Sequence, residues 1–343
     1  GMIANLGVFT FLFAVPATVI AAWWLTGLTR RYALRREMLD IPNQRSSHSV
    51  PTPRGGGVAI VIVASAAHLV AAWLYPGQAG LVLLLGMTLA GYATLGWLDD
   101  HYDLSTIVRL LVQLLLALAV MSWLIVNDFW ISGDLPAVIL TGVAIVWMVW
   151  MANLYNFMDG IDGIAAVETL VLAVTAGAWF GAAGSEGIML ASLAVAGAAI
   201  GFLGWNWAPA KIFMGDVGSV SLGAFFALLA LLGASVYAMP FSAFVILYGV
   251  FLVDASVTLL RRVVRGEKWW QAHRSHYYQR LVQSGWSHAR VSTAVLIINV
   301  MLACLASALV AGMMSVAGAL LLAALILGVP LILIDLHSRQ LRN

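Results

Sequence analysis

The sequence alternates between long apolar blocks and short polar segments along almost its whole length. Most blocks hold about 20 residues, the length of helix that crosses a hydrocarbon layer of roughly 30 Å. Backbone groups in such a layer need hydrogen bonds within their own segment, so each block predicts a transmembrane helix. Eleven spans are predicted: Val8–Leu28, Gly57–Tyr75, Gly80–Leu98, Ile107–Val126, Leu135–Met151, Ile164–Gly181, Ile188–Trp205, Ser219–Val236, Phe241–Leu260, Ser292–Gly312 and Ser315–Ile334.

The composition excludes a water-soluble protein. Hydrophobic residues make up 62% of the 343 residues and charged residues only 9%, whereas soluble domains average about 45–50% and about 25%. The single cysteine, Cys304, lies in an apolar block, so no intrachain disulfide is expected. We therefore predict an all-α, polytopic integral membrane protein in which residues 1–343 form one transmembrane domain, with no role in binding nucleic acid.

The basic residues test the number of spans. With eleven helices, all 17 Lys and Arg residues fall in alternate loops, and the opposite loops contain none. The positive-inside rule places the basic loops in the cytoplasm. We therefore predict a membrane protein with its N-terminus outside and its C-terminus inside the cell. The basic residues are Arg30, Arg31, Arg35, Arg36, Arg45, Arg54, Arg109, Lys211, Arg261, Arg262, Arg265, Lys268, Arg274, Arg280, Arg290, Arg339 and Arg342.

Aspartates gather in three of these same basic-side loops, beside glycines. Carboxylates at the edge of the hydrocarbon layer are costly and usually functional. The alternative is that they only cap helices, but three such loops on one face favour a shared site. The loops contain Asp99, Asp100 and Asp103, then Asp159 and Asp162, then Asp216.

A divalent cation is the expected partner of these acids. The adjacent carboxylates of Asp99 and Asp100 repel each other unless a cation lies beside them. Oxygen ligands without cysteine favour Mg²⁺ over zinc, and Mg²⁺ commonly shares its remaining positions with substrate phosphates. We therefore predict Mg²⁺, with Mn²⁺ as a substitute.

Basic residues supply the other half of a phosphate site. Arg45, His48 and Arg54 precede a Gly55–Gly57 run whose backbone N–H groups can bind an anion. A second basic stretch, rich in aromatic residues, contains His273, Arg274, His276 and Arg280. The active site is therefore predicted from five cytoplasmic loops, at residues 30–56, 99–106, 152–163, 206–218 and 261–291.

Other classes of site and protein predict different patterns. Zinc bound by His273 and His276 lacks an evident third ligand. An ion-coupled transporter predicts acids near mid-membrane and two related halves, whereas these acids lie at one surface and no repeat is visible. An intramembrane aspartyl protease requires a Gly-x-Gly-Asp motif, and Asp216 follows Phe213-Met214-Gly215 instead.

Five ordered motifs resemble one known family. They read PTPRGGG, LDDHYDLS, NLYNFMDGIDGIA, NWAPAKIFMGDVGS and AHRSHYYQRL. This combination is similar to the polyprenyl-phosphate N-acetylhexosamine-1-phosphate transferases. The resemblance implies a Mg²⁺-dependent enzyme of the bacterial cytoplasmic membrane. Such an enzyme moves a sugar 1-phosphate from a UDP-sugar to undecaprenyl phosphate and releases UMP. Both reactants are anionic, so positioning and charge neutralisation are expected to supply most of the catalysis.

The resemblance also implies residue roles. Asp216 matches the metal-ligand aspartate, and Asp99 and Asp100 match a pair of which one member activates the lipid phosphate, with Asp100 expected as a second metal ligand. Arg109 corresponds to a phosphate-binding basic residue of the family, and Arg54 is expected to bind phosphate because of its place before the glycine run. The nucleotide and sugar contacts are expected from Asn156, Asp159, Asp162, Asn206, Phe213, His273, Arg274 and His276.

The last motif departs from the His-rich form of the peptidoglycan enzymes. It is more similar to the branch that initiates O-antigen and other surface polysaccharides, which implies a small UDP-N-acetylhexosamine or its 6-deoxy form as donor. A peptidoglycan-type donor, UDP-N-acetylmuramoyl-pentapeptide, is the alternative. The residues leave open whether an aspartyl-phosphate intermediate forms and whether the chain is a monomer or a homodimer.

Overall fold

A computed structural model describes residues 2–42, 47, 50–131, 133–267 and 274–340, with side chains described from residue 13 to residue 337 of these ranges. The described chain is almost entirely helical. Its α-helices are α1 (Met2–Arg35), α2 (Gly57–Leu74), α3 (Ala79–Tyr102), α4 (Thr106–Val126), α5 (Leu135–Met158), α6 (Ile164–Ala182), α7 (Glu186–Asn206), α8 (Asp216–Ser235), α9 (Phe241–Leu247), α10 (Gly249–Val264), α11 (Tyr277–Gln283), α12 (His288–Val310) and α13 (Val316–Gln340).

Short non-helical elements join some of these helices. Strands β1 (Leu39–Asp40) and β2 (Thr52–Pro53) pair antiparallel in the loop between α1 and α2. A 3₁₀ turn at Pro76–Gln78 leads into α3. Helices α4, α5 and α12 begin where the side chains of Ser105, Asp134 and Ser287 accept a backbone N–H from the first turn, which satisfies an otherwise unpaired donor.

The helices confirm a polytopic membrane protein. Within the described residues, nine helices are long and apolar enough to cross a membrane, or ten if α9 and α10 form one bent span. These correspond to ten of the eleven predicted spans. The first predicted span, Val8–Leu28, lies within α1, whose side chains before residue 13 fall outside the described part.

The ninth predicted span is not one straight helix. The sequence predicts a single helix over Phe241–Leu260, but α9 and α10 meet at Tyr248 with a bend of 79°. The Tyr248 side chain is fully buried and its hydroxyl donates to the Phe226 carbonyl oxygen at 2.8 Å. The apolar pattern continues through this point without a proline, so the bend is set by packing.

Helix α8 forms the centre of the bundle. Nearly all of its residues are buried, and it packs mainly against α3 and α5, with α2 also in contact. Helix α7 packs against α1, α2 and α6, and α12 packs against α6 and α9. Helices α4 and α13 lie outside and expose many apolar side chains, as expected of surfaces that face lipid.

The connecting loops meet at two opposite ends of the bundle. At one end, Gln78 donates to the Gly184 carbonyl oxygen and accepts from Ser185, which also accepts from Tyr237. At the other end lie the loops after α1, α3, α5, α7 and α10, which contain the described Lys and Arg residues of the connecting segments. We call this second end the basic end.

The close approach of α8 to α5 gives a stability prediction. A Cβ atom on Gly223 of α8 would overlap the Met151 carbonyl oxygen and lie 2.8 Å from the Ala152 Cα atom. We expect Gly223→Ala to lower the free energy of unfolding by about 1–3 kcal/mol, because a packed backbone has no room for the methyl group. Thermal unfolding of the detergent-solubilised protein measures this change.

Gly142 of α5 provides the matched control. It is exposed, and a Cβ atom there would meet no atom within 4 Å. Gly142→Ala should leave stability unchanged or raise it by about 0.5–1 kcal/mol through helix propensity. Equal effects of the two substitutions would contradict the packing argument.

Candidate active site

Asp100 joins the end of α3 to the beginning of α8. Its two carboxylate oxygens accept the backbone N–H groups of Asp216 and Val217, at 3.2 and 3.1 Å. These donors belong to the first turn of α8 and have no partner within that helix. The negative charge also lies at the positive end of the α8 dipole. The predicted metal-ligand residue Asp100 therefore also caps α8.

The two helices approach closely enough for this cap because of Gly96. A Cβ atom on Gly96 of α3 would overlap the Asp216 carbonyl oxygen. Any larger residue would push the start of α8 away from α3.

Asp99, Arg109 and Asp216 form a cluster beside this joint. The Arg109 Nη1 atom lies 2.9 Å from Asp99 Oδ2 and 4.0 Å from Asp216 Oδ2. The other Asp99 oxygen accepts the Leu104 backbone N–H at 2.9 Å. The Asp99 side chain is 7% exposed, whereas the Asp216 side chain is 26% exposed and the Arg109 side chain 35%. Arg109 and Asp216 are thus accessible to a ligand at the basic end.

Asn156 connects α5 to the same cluster. Its Nδ2 atom donates to Asp216 Oδ2 at 3.2 Å, and its Oδ1 atom accepts from the Ser219 hydroxyl at 2.7 Å. Three residues later, the half-buried Asp159 ends α5. Burial, together with the negative charges of Asp100 and Asp162, raises the pKa of Asp159 well above its usual value. A cation near this group would oppose that rise.

Asp162 is held by three different parts of the chain. Its Oδ2 atom accepts the Ala210 N–H at 3.0 Å, its Oδ1 atom lies 3.2 Å from His288 Nδ1, and its carbonyl oxygen accepts from the Ser292 hydroxyl at 2.7 Å. Asn206 fixes the next residue, since its Oδ1 atom accepts the Gly163 N–H at 2.9 Å. The Asn206 Nδ2 atom donates to the Ile212 carbonyl oxygen at 3.0 Å. Both residues therefore organise the loops around the cluster.

The glycine-rich segment before α2 packs against the segment before α8. Phe213 N–H donates to the Pro53 carbonyl oxygen at 2.8 Å, and Gly56 N–H donates to the Phe213 carbonyl oxygen at 2.9 Å. Arg54 donates through Nη2 to the Asp100 carbonyl oxygen at 2.7 Å. The structure thus brings Arg54 and Phe213, which are far apart in sequence, to the aspartate cluster. Arg45 and His48 lie outside the described residues.

The loop after α10 is organised by Asp254. Its carboxylate accepts the backbone N–H groups of Tyr277 and Tyr278 at 2.9 and 3.1 Å, and its Oδ1 atom lies 3.3 Å from His276 Nδ1. His276 is therefore buried, only 3% exposed, at the start of α11. Tyr278 in turn donates through its hydroxyl to the Phe157 carbonyl oxygen at 3.0 Å, which joins α11 to the Asp159 loop.

Arg274 lies beside a separate polar cavity. The cavity has a volume of about 370 Å³. In it, Arg261 and Arg280 each bind Asp335, at 2.6 and 2.7 Å. His273 lies outside the described residues. The arginines that line this cavity are Arg261, Arg262, Arg265, Arg274 and Arg280.

Sequence reasoning missed two residues that hold these loops, His288 and Asp335. His288 stands at the first position of α12 with no motif around it. Asp335 is an acid near the end of a long apolar block, and its two arginine partners are more than 50 positions away. Asp254 was not missed, because its position near the inner end of the ninth predicted span indicated that it could reach the site, and an acid within an apolar span requires a partner.

The charge of the cluster fits a divalent cation. The carboxylates of Asp99, Asp100, Asp159 and Asp216 interact with one another, and two guanidinium groups, those of Arg54 and Arg109, lie among them. No three His, Cys, Asp or Glu side chains in the described ranges form a closed metal site. Mg²⁺ does not need one, because it commonly takes one or two carboxylates and completes its shell with water and phosphate oxygens.

Comparison with known proteins shows which family the chain resembles. Residues 81–234, which run from α3 through α8, match the model of glycosyl transferase family 4. A probable undecaprenyl-phosphate N-acetylglucosaminyl 1-phosphate transferase from Bacillus subtilis is 30% identical over 279 residues, covering 79% of this chain and 77% of the relative.

Two further relatives cover similar shares. A phospho-N-acetylmuramoyl-pentapeptide-transferase from Nostoc is 28% identical and covers 88% of this chain and 86% of its own. A decaprenyl-phosphate N-acetylglucosaminephosphotransferase from Mycolicibacterium smegmatis is 28% identical, covering 81% and 76%. With the Bacillus subtilis relative aligned over more than two thirds of both chains, this chain belongs to the polyprenyl-phosphate N-acetylhexosamine-1-phosphate transferases of glycosyl transferase family 4.

Proposed function

We propose that the protein transfers an N-acetylhexosamine 1-phosphate, or its 6-deoxy form, from a UDP-sugar to undecaprenyl phosphate, giving undecaprenyl-diphosphate-sugar and UMP. One observation carries the proposal. Asp99, Asp100, Arg109, Asn156 and Asp216 come from three separate loop regions and converge at the basic end. The relatives whose names specify a polyprenyl phosphate acceptor support the same reaction.

The reaction follows from the charges of the cluster. A phosphate oxygen of the lipid attacks the phosphorus that bears the sugar, and the bond from that phosphorus to the oxygen of UMP breaks. Arg109 is held by Asp99 and turned toward Asp216, so its remaining N–H groups can bind a phosphate in a fixed orientation. Asp99 or Asp100 accepts a proton from the lipid phosphate, as the family resemblance implies.

The metal is part of the proposal. Asp216, with Asp100 as a second ligand, would hold Mg²⁺, and Asn156 would orient the Asp216 carboxylate through its 3.2 Å hydrogen bond. When bound, the ion neutralises charge on the diphosphate.

Substrate orientation is assigned to the surrounding loops. We propose that the UDP end of the donor lies against Phe213 and the Asp159–Asp162 loop, which His288 and Asn206 hold in place. The sugar would extend toward the segment that contains Arg274. We further propose that the site faces the cytoplasm, where UDP-sugars are made, and that the product is the first lipid-linked intermediate of O-antigen or another surface polysaccharide.

The metal proposal predicts loss of transfer on removal of the Asp216 charge. We expect Asp216→Asn to lower kcat at least roughly a thousandfold, because a metal ion stabilises transition-state charge by several kcal/mol. EDTA should abolish transfer by the parent protein, and Mg²⁺ or Mn²⁺ should restore it. A radiolabelled UDP-sugar assay with undecaprenyl phosphate measures both effects.

Asp103 gives the control for that substitution. It is exposed and adopts a left-handed backbone conformation, with φ of 49°, which asparagine tolerates well. Asp103→Asn should therefore retain activity. Full activity of the parent protein in EDTA would disprove the metal requirement.

The orientation proposal predicts which loops are accessible from outside the cell. In a Cys304→Ala background, a cysteine replacing Ala183 should react with a membrane-impermeant maleimide in intact cells. A cysteine replacing Ser284, in the basic loop before α12, should react only after permeabilisation, because the basic loops remain in the cytoplasm. The reverse pattern would place the aspartate cluster outside and contradict the proposed use of a cytoplasmic donor.

Donor choice predicts a selective effect of Arg274. We expect Arg274→Ala to change the ratio of kcat/KM values between UDP-N-acetylglucosamine and its 6-deoxy analogues, because this side chain lies in the loop assigned to the sugar. An apolar pocket rejects an added hydroxyl by only about 100-fold, so activity with UDP-N-acetylglucosamine is expected in either case. The measurement is a donor panel at fixed lipid phosphate.

Two variants make the panel interpretable. Arg290→Ala removes an arginine that stacks on Trp286 and should leave the ratios unchanged. His276→Ala should lower activity equally for all donors, since His276 is buried against Asp254. If Arg274→Ala also acts equally on all donors, the residue serves the diphosphate. If the peptidyl sugar is the best donor, the surface-polysaccharide assignment is wrong.

A further inference from the structure

Helices α6 and α12 run side by side in the same direction and are joined at three levels. At the basic end, the Ser292 hydroxyl donates to the Asp162 carbonyl oxygen at 2.7 Å. Near the opposite end, Trp179 Nε1 donates to the Ser307 hydroxyl at 3.0 Å. Between them, Asn299 Nδ2 donates to Glu168 Oε2 at 2.5 Å.

Six of the eight buried residues of α12 follow a seven-residue repeat. Such a repeat is typical of a helix that packs along one seam, and a single polar residue in the seam fixes the register of the two helices. Asn299 is the buried amide in the middle of this seam, and Ser292 lies at its basic end. The buried positions of the repeat are Ser292, Val295, Asn299, Leu302, Ala306 and Leu309.

Glu168 and Asn299 are both 0% exposed. The second oxygen of Glu168, Oε1, and the oxygen of Asn299, Oδ1, have no hydrogen-bond partner among the described residues. None of the ion pairs in the described part of the chain involves Glu168. An ionised carboxylate with one amide donor, buried between membrane helices, would be strongly unfavourable.

The neighbouring tyrosine hydroxyl groups do not stabilise an ionised Glu168. Tyr155 and Tyr248 lie near Glu168, but the Tyr155 hydroxyl pairs with Thr169 at 2.7 Å and the Tyr248 hydroxyl donates to the Phe226 carbonyl oxygen at 2.8 Å. Neither supplies a positive charge or a donor to Glu168.

A single proton on Glu168 satisfies both unpartnered oxygens. With the amide oriented as in the structure, the carboxylic acid O–H donates to Asn299 Oδ1 while Asn299 Nδ2 donates to Glu168 Oε2. If the amide is turned over, the 2.5 Å contact joins Asn299 Oδ1 to Glu168 Oε2. Two oxygens at this distance also need a proton between them, and the distance matches a short O–H···O bond. Both amide orientations therefore lead to a neutral acid.

We propose that Glu168 is protonated in the folded protein and forms with Asn299 a neutral acid–amide pair that fixes the register of α12 against α6. This register places Ser292 and His288 against Asp162 at the basic end. Glu168 and Asn299 are thus positioning residues for the Asp159–Asp162 loop. The positioning part rests on the proposed transferase function, whereas the protonation does not.

Infrared spectroscopy of the full-length protein in lipid nanodiscs tests the protonation. At neutral pH the parent protein should show the carbonyl stretch of a protonated carboxylic acid, and this band should disappear in Glu168→Gln. The glutamine keeps the planar group and both hydrogen bonds without an acidic proton. The unfolding temperature of Glu168→Gln should therefore stay close to that of the parent, and its kcat should stay within about twofold. Absence of the band would overturn the proposal.

Removal of the pair tests the positioning. We expect Asn299→Leu, and likewise Glu168→Leu, to lower the unfolding temperature and to reduce kcat per folded molecule on the order of 10- to 100-fold, since displaced reacting groups lose rate. The double variant Glu168→Leu/Asn299→Leu replaces both partners by apolar side chains and should recover the unfolding temperature but not kcat. Full kcat in the double variant would overturn the positioning role.

Ser307 provides the matched control on the same helix pair. Ser307→Ala removes the Trp179 hydrogen bond far from the loop and should leave kcat within about twofold of the parent.

A sodium titration tests the alternative of an ionised Glu168. If sodium ions stabilise the parent protein and Glu168→Gln removes this stabilisation, Glu168 is ionised and binds a cation, which contradicts the proposal. If the parent transfers no sugar phosphate, the transferase function fails, while the infrared and unfolding results still decide the pair.

Discussion

The Asp100 carboxylate accepts two backbone N–H groups from the first turn of α8, and the Asp100 carbonyl oxygen binds Arg54. One residue thus joins α3, α8 and the segment before α2. A carboxylate that accepts backbone N–H groups forms strong, charge-assisted hydrogen bonds, and here the positive end of the α8 dipole strengthens them. The position of Asp216, the first residue of α8, depends directly on this joint.

The central position of α8 explains why this joint governs the site. Helix α8 is buried along almost its whole length, so its start cannot shift without disturbing α2, α3 and α5 together. Asn156 on α5 and Arg109 on α4 then reach Asp216 from two further directions. Residues of α3, α4 and α5 thus hold Asp216 from three directions, which suits a reaction whose catalysis depends on orientation and charge.

Acids outside the cluster organise the rest of the basic end. Asp254 caps α11, and Asp335 binds two arginines across the polar cavity. Several carboxylate side chains therefore serve to position loops, and fewer of them face the accessible surface. Asp162 and Asn206 also position loops, because their hydrogen bonds hold the loops together.

The sequence by itself determined the membrane class, the position of most helices and the set of loops that lie at the basic end. These properties are local: a block of about 20 apolar residues is sufficient to predict a span, and the basic residues assign alternate loops to one side. The aspartates of the cluster were also identified, because carboxylates beside an apolar span are costly wherever they occur.

Only the tertiary structure decided which groups meet. The bend at Tyr248 comes from packing against Phe226 in an uninterrupted apolar segment. Whether an aspartate caps a helix, as Asp100 and Asp254 do, or faces an arginine, as Asp99 does, depends on which helix end lies within about 3 Å of it. Such partners are distant in sequence, so no local pattern encodes them, and the pairing of Glu168 with Asn299 is set in the same way.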